Sequence, residues 1–316
     1  MNNDKATPRH FLDLRDHSPA TLRQMLDDAS QMKRDWKAGC RAPQRAMFEG
    51  LVLAMIFQKP STRTRISFEV AIRDLGGAAI VLHAQELQLG RGETIADTAR
   101  ILSGYVDAVM IRSSDHKEVL DLARHASIPV INGLTDVSHP CQLMADILTY
   151  EEVRGPIAGQ KIAWVGDGNN VAHSWIQAAA LFDFELTLAV PEGFDPDPGQ
   201  IEWAKAEGAS IQIHRDPVAA VENTQCVVTD TWISMGDDEA AARRAALAPY
   251  QVTTDIMSAA KSDAIFMHCL PAHRGEEVTA DVIDGPASVV FLEAENRLHA
   301  QKAVLHWCLG GGLAND

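Results

Sequence analysis

Short apolar runs and amphipathic segments alternate along the whole chain, and no other feature limits its fold so strongly. Strands separated by helices pair in parallel, with the helices laid over both faces of the sheet. Strand-length runs stand at Leu51–Phe57, Ala79–His83, Val106–Arg112 and Ile128–Asn132. Five more follow at Lys161–Val165, Leu186–Val190, Ile211–His214, Cys226–Thr229 and Ala264–His268. Helical spacing lies between them: Ile66, Val70, Ala71 and Leu75 up to Gly76-Gly77, then Thr94–Tyr105, His116–His125, Pro140 through Leu143, Ile147 and Tyr150, Asn170–Leu181 and Pro198–Glu207. Ser18-Pro19 opens an earlier helix, a cap followed by proline at the first helical position, with Leu22, Met25, Leu26, Ala29 and Met32 behind it.

A chain of 316 residues divides more readily into two domains of roughly 150 residues than it builds one core. Arg154-Gly155-Pro156-Ile157-Ala158-Gly159 is the best boundary, giving domains 1–150 and 151–316. An apolar helix at about 298–310 is free to fold back onto either. The expected class is α/β: two doubly wound domains, each a central parallel β-sheet flanked by helices, with the active site in the interdomain cleft.

Composition narrows the partners. With 28 basic against 43 acidic residues the net charge is −15, so no basic face dominates and neither nucleic acid nor an anionic membrane is an expected partner. An anionic substrate would need a local positive pocket. The five cysteines are scattered with no C-x-x-C, which fits a reduced compartment and indicates neither a disulfide frame nor a zinc ribbon. No run approaches a membrane span and the N-terminal residues lack an apolar region, so the expected location is cytoplasmic.

The strand Leu51–Phe57 runs into Gln58-Lys59-Pro60-Ser61-Thr62-Arg63-Thr64-Arg65. The free N–H groups of the helix start point out of that turn, with the positive end of the dipole behind them. Three hydroxyls and two guanidinium groups crowd the same place, which suits a doubly charged oxyanion, a phosphate first of all. Ligands of parallel sheets sit beyond the carboxyl ends of the strands. Beyond those ends lie Arg112, His139-Pro140-Cys141-Gln142, Asp167-Gly168-Asn169-Asn170, Asp230 through Met235, and His268-Cys269-Leu270-Pro271. Arg112, His139 and Gln142 can all donate to one carbonyl oxygen, as an oxyanion hole does. Beside a phosphate held by Arg63, that describes a site for an acyl phosphate.

The sequence resembles the aspartate/ornithine carbamoyltransferase family, in its ornithine pattern. The resemblance rests on Ser61-Thr62-Arg63-Thr64-Arg65, His139-Pro140-Cys141-Gln142, Gly166-Asp167-Gly168-Asn169-Asn170, Asp230-Thr231-Trp232-Ile233-Ser234-Met235-Gly236, His268-Cys269-Leu270-Pro271 and Glu295-Asn296-Arg297, in that order. It implies transfer of the carbamoyl group of carbamoyl phosphate to the side-chain amine of L-ornithine, giving L-citrulline and phosphate by direct attack through a tetrahedral intermediate. Arginine biosynthesis and arginine degradation both contain such a step. The resemblance assigns carbamoyl phosphate to Ser61, Thr62, Arg63, Thr64, Arg112, His139, Gln142 and Arg297, with Gln88 of the partner subunit reaching the phosphate in a homotrimer, or a multiple of one, whose active sites are shared between subunits. It assigns ornithine to Asn170, Asp230, Ser234, Met235, Cys269 and the Leu270 carbonyl. Cys269, Arg112 and His139 are the expected catalytic groups. The Leu270-Pro271 bond is expected to be cis, and no metal or organic cofactor is expected. Cys141 reads as a packing residue.

Rival readings are weaker. Gly166-x-Gly168 after a strand suggests a nicotinamide dehydrogenase, but Val171 stands at the third glycine position. A metal hydrolase built on His268, Cys269 and His273 lacks further ligands. A regulatory descendant without catalysis would have lost substrate groups, and all are present. Among acceptors, putrescine is second to ornithine, because it lacks the carboxylate and ammonium that Asn170 and Asp230 would bind. N-acetylornithine would block the Asp230 ion pair, and Cys269 with Ser234-Met235-Gly236 argues against aspartate.

Overall fold

The computed structural model describes residues 7–40, 44, 46–59, 61–83, 92–233 and 240–310. The chain forms two units, residues 1–144 with 297–316 and residues 145–296. In the first, helix α1 (Pro19–Lys37) starts at Ser18, whose side chain accepts from the Thr21 N–H. Strands β1 (Val52–Phe57), β2 (Ala78–His83), β3 (Ala108–Arg112) and β4 (Val130–Leu134) alternate with α2 (Thr62–Asp74), α3 (Ile95–Ser103) and α4 (His116–His125). They form one parallel sheet in the order β2-β1-β3-β4. Strand β4 begins later than the apolar run because Pro129 has no N–H to give the ladder; its carbonyl instead accepts from Val109.

Helix α5 (Pro140–Arg154) carries the chain into the second unit, where β5 (Lys161–Val165), β6 (Glu185–Ala189), β7 (Ile211–His214), β8 (Cys226–Thr229) and β9 (Ile265–His268) pair in the order β7-β6-β5-β8-β9, again all parallel. Between them lie α6 (Asn170–Phe182), α7 (Pro198–Ala206), α8 (Pro217–Val221), α9 (Ala240–Leu247) and α10 (Thr254–Ala259); α11 (Ala280–Ile283) and α12 (Val290–Leu309) follow. Helix α12 starts eight residues before the apolar run expected at 298, its first turns carrying the polar residues Glu293, Glu295 and Asn296.

The expectation of two helix-flanked parallel sheets is met. The inner strands β1, β3, β5 and β8 are buried on both faces, as parallel sheets require, and the edge strand β9 is enclosed as well. At the opposite edges, strands β2 and β7 are half exposed. Leu122, Val119 and Ala123 of α4 close over Ala54, Ile56, Val109 and Ile111 in the first unit. Val221, Tyr250, Ile256, Val278 and Val282 close over Ala163, Val165, Val227 and Phe266 in the second. Each fully buried residue of Val or Leu size contributes about 1.5–3 kcal/mol. Among the described residues no helix is long and apolar enough to cross a membrane.

Each sheet order fixes where a ligand can enter. After β1 the chain steps outward to β2, then crosses to β3 on the other side of β1; after β5 it steps out to β6 and β7, then crosses to β8. The crevices at the β1/β3 and β5/β8 exits are therefore the topological switch points of the two sheets, where such folds bind ligands.

Candidate active site

At the first switch point the register aligns Phe57 with Arg112, so the turn after β1 and the end of β3 emerge side by side. Ser61 caps α2 in extended backbone and makes no side-chain cap hydrogen bond, so its hydroxyl is not spent on the first N–H groups of the helix. Thr62 is exposed, Arg63 half buried and Thr64 fully buried. Thr64 Oγ1 accepts from Arg297 at 3.0 Å and from Arg112 at 3.3 Å. Arg297, in α12 and only 3% exposed, also donates to Gln142 Oε1 at 2.6 Å and approaches His139 Nε2 at 3.4 Å. One guanidinium thus joins Thr64, His139 and Gln142, three residues brought from the starts of α2 and α5.

This cluster is positive and dry. Burial drives the pKa of His139 well below that of a free imidazole, and the charges of Arg297, Arg112 and Arg63 push it the same way. The ring is therefore neutral, able to hydrogen-bond but carrying no acidic proton to transfer. Its Nε2 faces a guanidinium N–H and accepts there, leaving the ring hydrogen on Nδ1. Cys141 is enclosed, its thiol raised to about 12 by burial and turned to the Asn132 carbonyl at 3.4 Å.

At the second switch point the register pairs Thr229 with His268, so the next residues, Asp230 and Cys269, leave the sheet abreast. Cys269 Sγ donates to Asp230 Oδ1 at 3.0 Å. Asp230 also accepts from the Thr231 N–H at 2.7 Å and from Asn169 Nδ2 at 2.9 Å. Burial and then the Asp230 charge hold the Cys269 pKa well above a free thiol, so the sulfur is a protonated hydrogen-bond donor and is no thiolate nucleophile. Leu270 sits at φ +57° with a cis bond to Pro271, its N–H donating to His268 Nδ1 at 2.9 Å. With Nδ1 accepting, His268 directs its Nε2 hydrogen at buried Glu277, 3.2 Å away. Both ring nitrogens are engaged, which counts against the metal reading of His268, Cys269 and His273.

The sequence reading missed several groups here. Asn169 both caps α6, accepting from Val171 and Ala172 N–H, and holds Asp230; its signal was an asparagine directly before a helical run. Asn170, assigned to ornithine, is the first residue of α6 and half buried. Arg243 of α9 donates to Asp167 Oδ2 at 2.6 Å and to the Trp232 carbonyl at 3.1 Å, joining the exits of β5 and β8. Glu277 and Glu293, which accepts from the His268 N–H at 2.9 Å, hold the strand end below Cys269. Gly166 is required by its φ of +132°, and Gly168 by packing: a Cβ at Gly168 would lie 2.3 Å from Pro196 N and 2.6 Å from the Phe194 carbonyl. Gln88, Ser234 and Met235 lie outside the described residues, as does most of the polar segment around Gln88.

Residues 9–152 match the model of the aspartate/ornithine carbamoyltransferase carbamoyl-P binding domain, and residues 158–308 that of the Asp/Orn binding domain of the same family. An ornithine carbamoyltransferase from Mesorhizobium japonicum is 60% identical over 302 residues, 96% of this chain and 99% of the relative. The solved ornithine carbamoyltransferase of Pyrococcus furiosus superposes with a TM-score of 0.92 at 54% identity, covering 96% of this chain and 98% of that one. The Burkholderia thailandensis enzyme of that name gives 0.88 at 45% identity over 96% and 99%. Two domain models spanning nearly all of the chain, with relatives matched end to end, place it in the aspartate/ornithine carbamoyltransferase family.

Proposed function

We propose that the chain transfers the carbamoyl group of carbamoyl phosphate to the side-chain amine of L-ornithine, giving L-citrulline and phosphate. The observation that carries this is the Arg297 cluster beside the open start of α2. It supplies three guanidinium groups, a neutral imidazole and helix-start N–H groups without a side-chain cap, which suit a dianionic phosphate joined to a carbonyl.

The chemistry follows from the charges. Ser61, Thr62, Arg63 and the α2 start hold the phosphate, while Arg112, Arg297 and His139 surround the carbonyl oxygen, with Gln142 fixed by Arg297. Asp230 takes the α-ammonium of ornithine and Asn170 its carboxylate, which aims the side-chain amine past Cys269 and Leu270. The amine attacks as the free base. Its nitrogen bonds to the carbonyl carbon, negative charge collects on the oxygen, and collapse breaks the carbon–oxygen bond to phosphate. The nitrogen gives up its proton and the departing phosphate can accept it. A protonated Cys269 hydrogen-bonds and cannot be the base. The leaving group is already activated, so the residues' task is to orient two substrates and stabilise an oxyanion.

Gln88 of the partner subunit, Ser234 and Met235 complete the proposed substrate contacts, in a homotrimer, or a multiple of one, whose active sites are shared between subunits. A cytoplasmic location suits the unpaired cysteines and the metabolite substrates. The step belongs to arginine biosynthesis or to arginine degradation. Initial rates with ornithine, putrescine, N-acetylornithine and aspartate, each with carbamoyl phosphate, test the reading. Ornithine is expected to have the highest kcat/KM, and any other order at the top overturns the acceptor assignment.

A further inference from the structure

We propose that Gln58, Ser113 and Glu118 are positioning residues that clamp the anion-binding turn against the end of β3, so that the start of α2 and Arg112 meet the same carbamoyl phosphate. This rests on the carbamoyl phosphate reading of that turn. Gln58 is the first residue after β1, and its N–H donates to the Arg112 carbonyl at 3.0 Å. Its side chain crosses to the β3–α4 turn. Nε2 donates to Glu118 Oε2, while Oε1 accepts from the Ser113 hydroxyl at 2.8 Å and from the Ser114 N–H at 3.4 Å. Ser113 is 2% exposed; its hydroxyl also stands 2.7 Å from Glu118 Oε2 and accepts from the Asp115 N–H at 3.0 Å.

Two features make this more than a surface network. The start of α2 has no side-chain cap of its own, and Gln58, three residues before the Ser61 cap position, is held to the end of β3 by main chain and side chain. The arrangement also has a polarity. Ser113 has one hydroxyl hydrogen for two acceptors, so the Glu118 carboxylate depends on the amide hydrogens of Gln58. Reversing the amide would set Gln58 Oε1 against a carboxylate, two acceptors face to face. Position 58 must donate to position 118. A carboxylate at both positions would force the turn away from Arg112 while touching no substrate.

The test compares Gln58→Glu, Glu118→Gln and the exchanged pair Gln58→Glu/Glu118→Gln in the full chain. Displacement of a binding group by a fraction of an ångström is costly, so Gln58→Glu is expected to raise the KM for carbamoyl phosphate about tenfold or more. The KM for ornithine at saturating carbamoyl phosphate should stay within about twofold, as expected for a change confined to one half-site. The exchanged pair restores one donor and one acceptor, and should return the carbamoyl phosphate KM to within about threefold of the parent. Calorimetric titration with inorganic phosphate should follow the same pattern in all four proteins. That arm stands even if the parent transfers no carbamoyl group, an outcome that would overturn the functional reading but not the clamp. Unchanged phosphate binding in Gln58→Glu, or a loss that the exchange does not rescue, overturns the clamp. If Gln58→Glu does not fold, Ser113→Ala takes its place, with a weaker shift of the same kind expected and an unchanged phosphate affinity as the overturning result.

Discussion

Arg297 uses both terminal nitrogens of one guanidinium, on Thr64 with one and on Gln142 and His139 with the other. An ammonium has no such fork. Arg297→Lys keeps the charge in a site only 3% exposed, yet cannot meet all three partners. It is expected to lower kcat by about 10²-fold or more while leaving the KM for ornithine near its parent value, which steady-state kinetics with each substrate varied in turn will measure. At this scale the placement of the candidate residues was legible, because Arg112, His139 and Asp230 stand at strand exits or helix starts marked by local patterns. Residues that act by holding others were not. Arg243, Glu293, Glu118 and Ser113 reach their partners across tens of residues, and nothing in the spacing around them announces it.

Asn169 joins two elements, ending the β5 turn as the cap of α6 and tethering Asp230 at the exit of β8. Asn169→Ala removes two helix-start acceptor contacts at a cost of about 1–2 kcal/mol. It also releases one of three donors from Asp230. Thermal unfolding should therefore shift down, and the KM for ornithine should rise several-fold with that for carbamoyl phosphate nearly unchanged. An equal rise in both would mean that the residue serves stability alone. The strands were legible at this level because burial on both faces turns a parallel strand into an unbroken apolar run. The early start of α12 was hidden by its polar first turns. The short helices α8 to α11 hold too few residues for a period to repeat, so they left no pattern to find.

Across the whole molecule the buried ionisable groups set the response to acid. His17 stacks on Phe11 at 5.0 Å and meets the edge of Trp307 at 4.9 Å, with Arg9 on the same indole. Burial lowers its pKa from 6.5 to about 4. Between those values the unfolded chain holds a proton that the folded chain does not, so stability is present above pH 6.5 and is lost as the pH falls toward 4. His139 acts in the same direction. His17→Phe keeps the stacking and removes the titration, so the urea midpoint should fall less between pH 7 and pH 4.5, with the slope against pH reduced by up to about one proton.

The first unit is assembled from two stretches far apart in the chain, residues 1–144 and 297–316, whereas the second is one continuous stretch, 145–296. On a ribosome the chain emerges from its N-terminus at about 5–20 residues per second, and domains fold as units. The acceptor half can therefore finish while the phosphate half still waits for Arg297 and for Lys302, which pairs with Asp74 at 2.6 Å. A nascent or truncated chain holds the arginines of the anion turn but not the residue that gathers Thr64, His139 and Gln142. With Arg297 in its proposed role, binding of carbamoyl phosphate thus becomes a property of the completed chain.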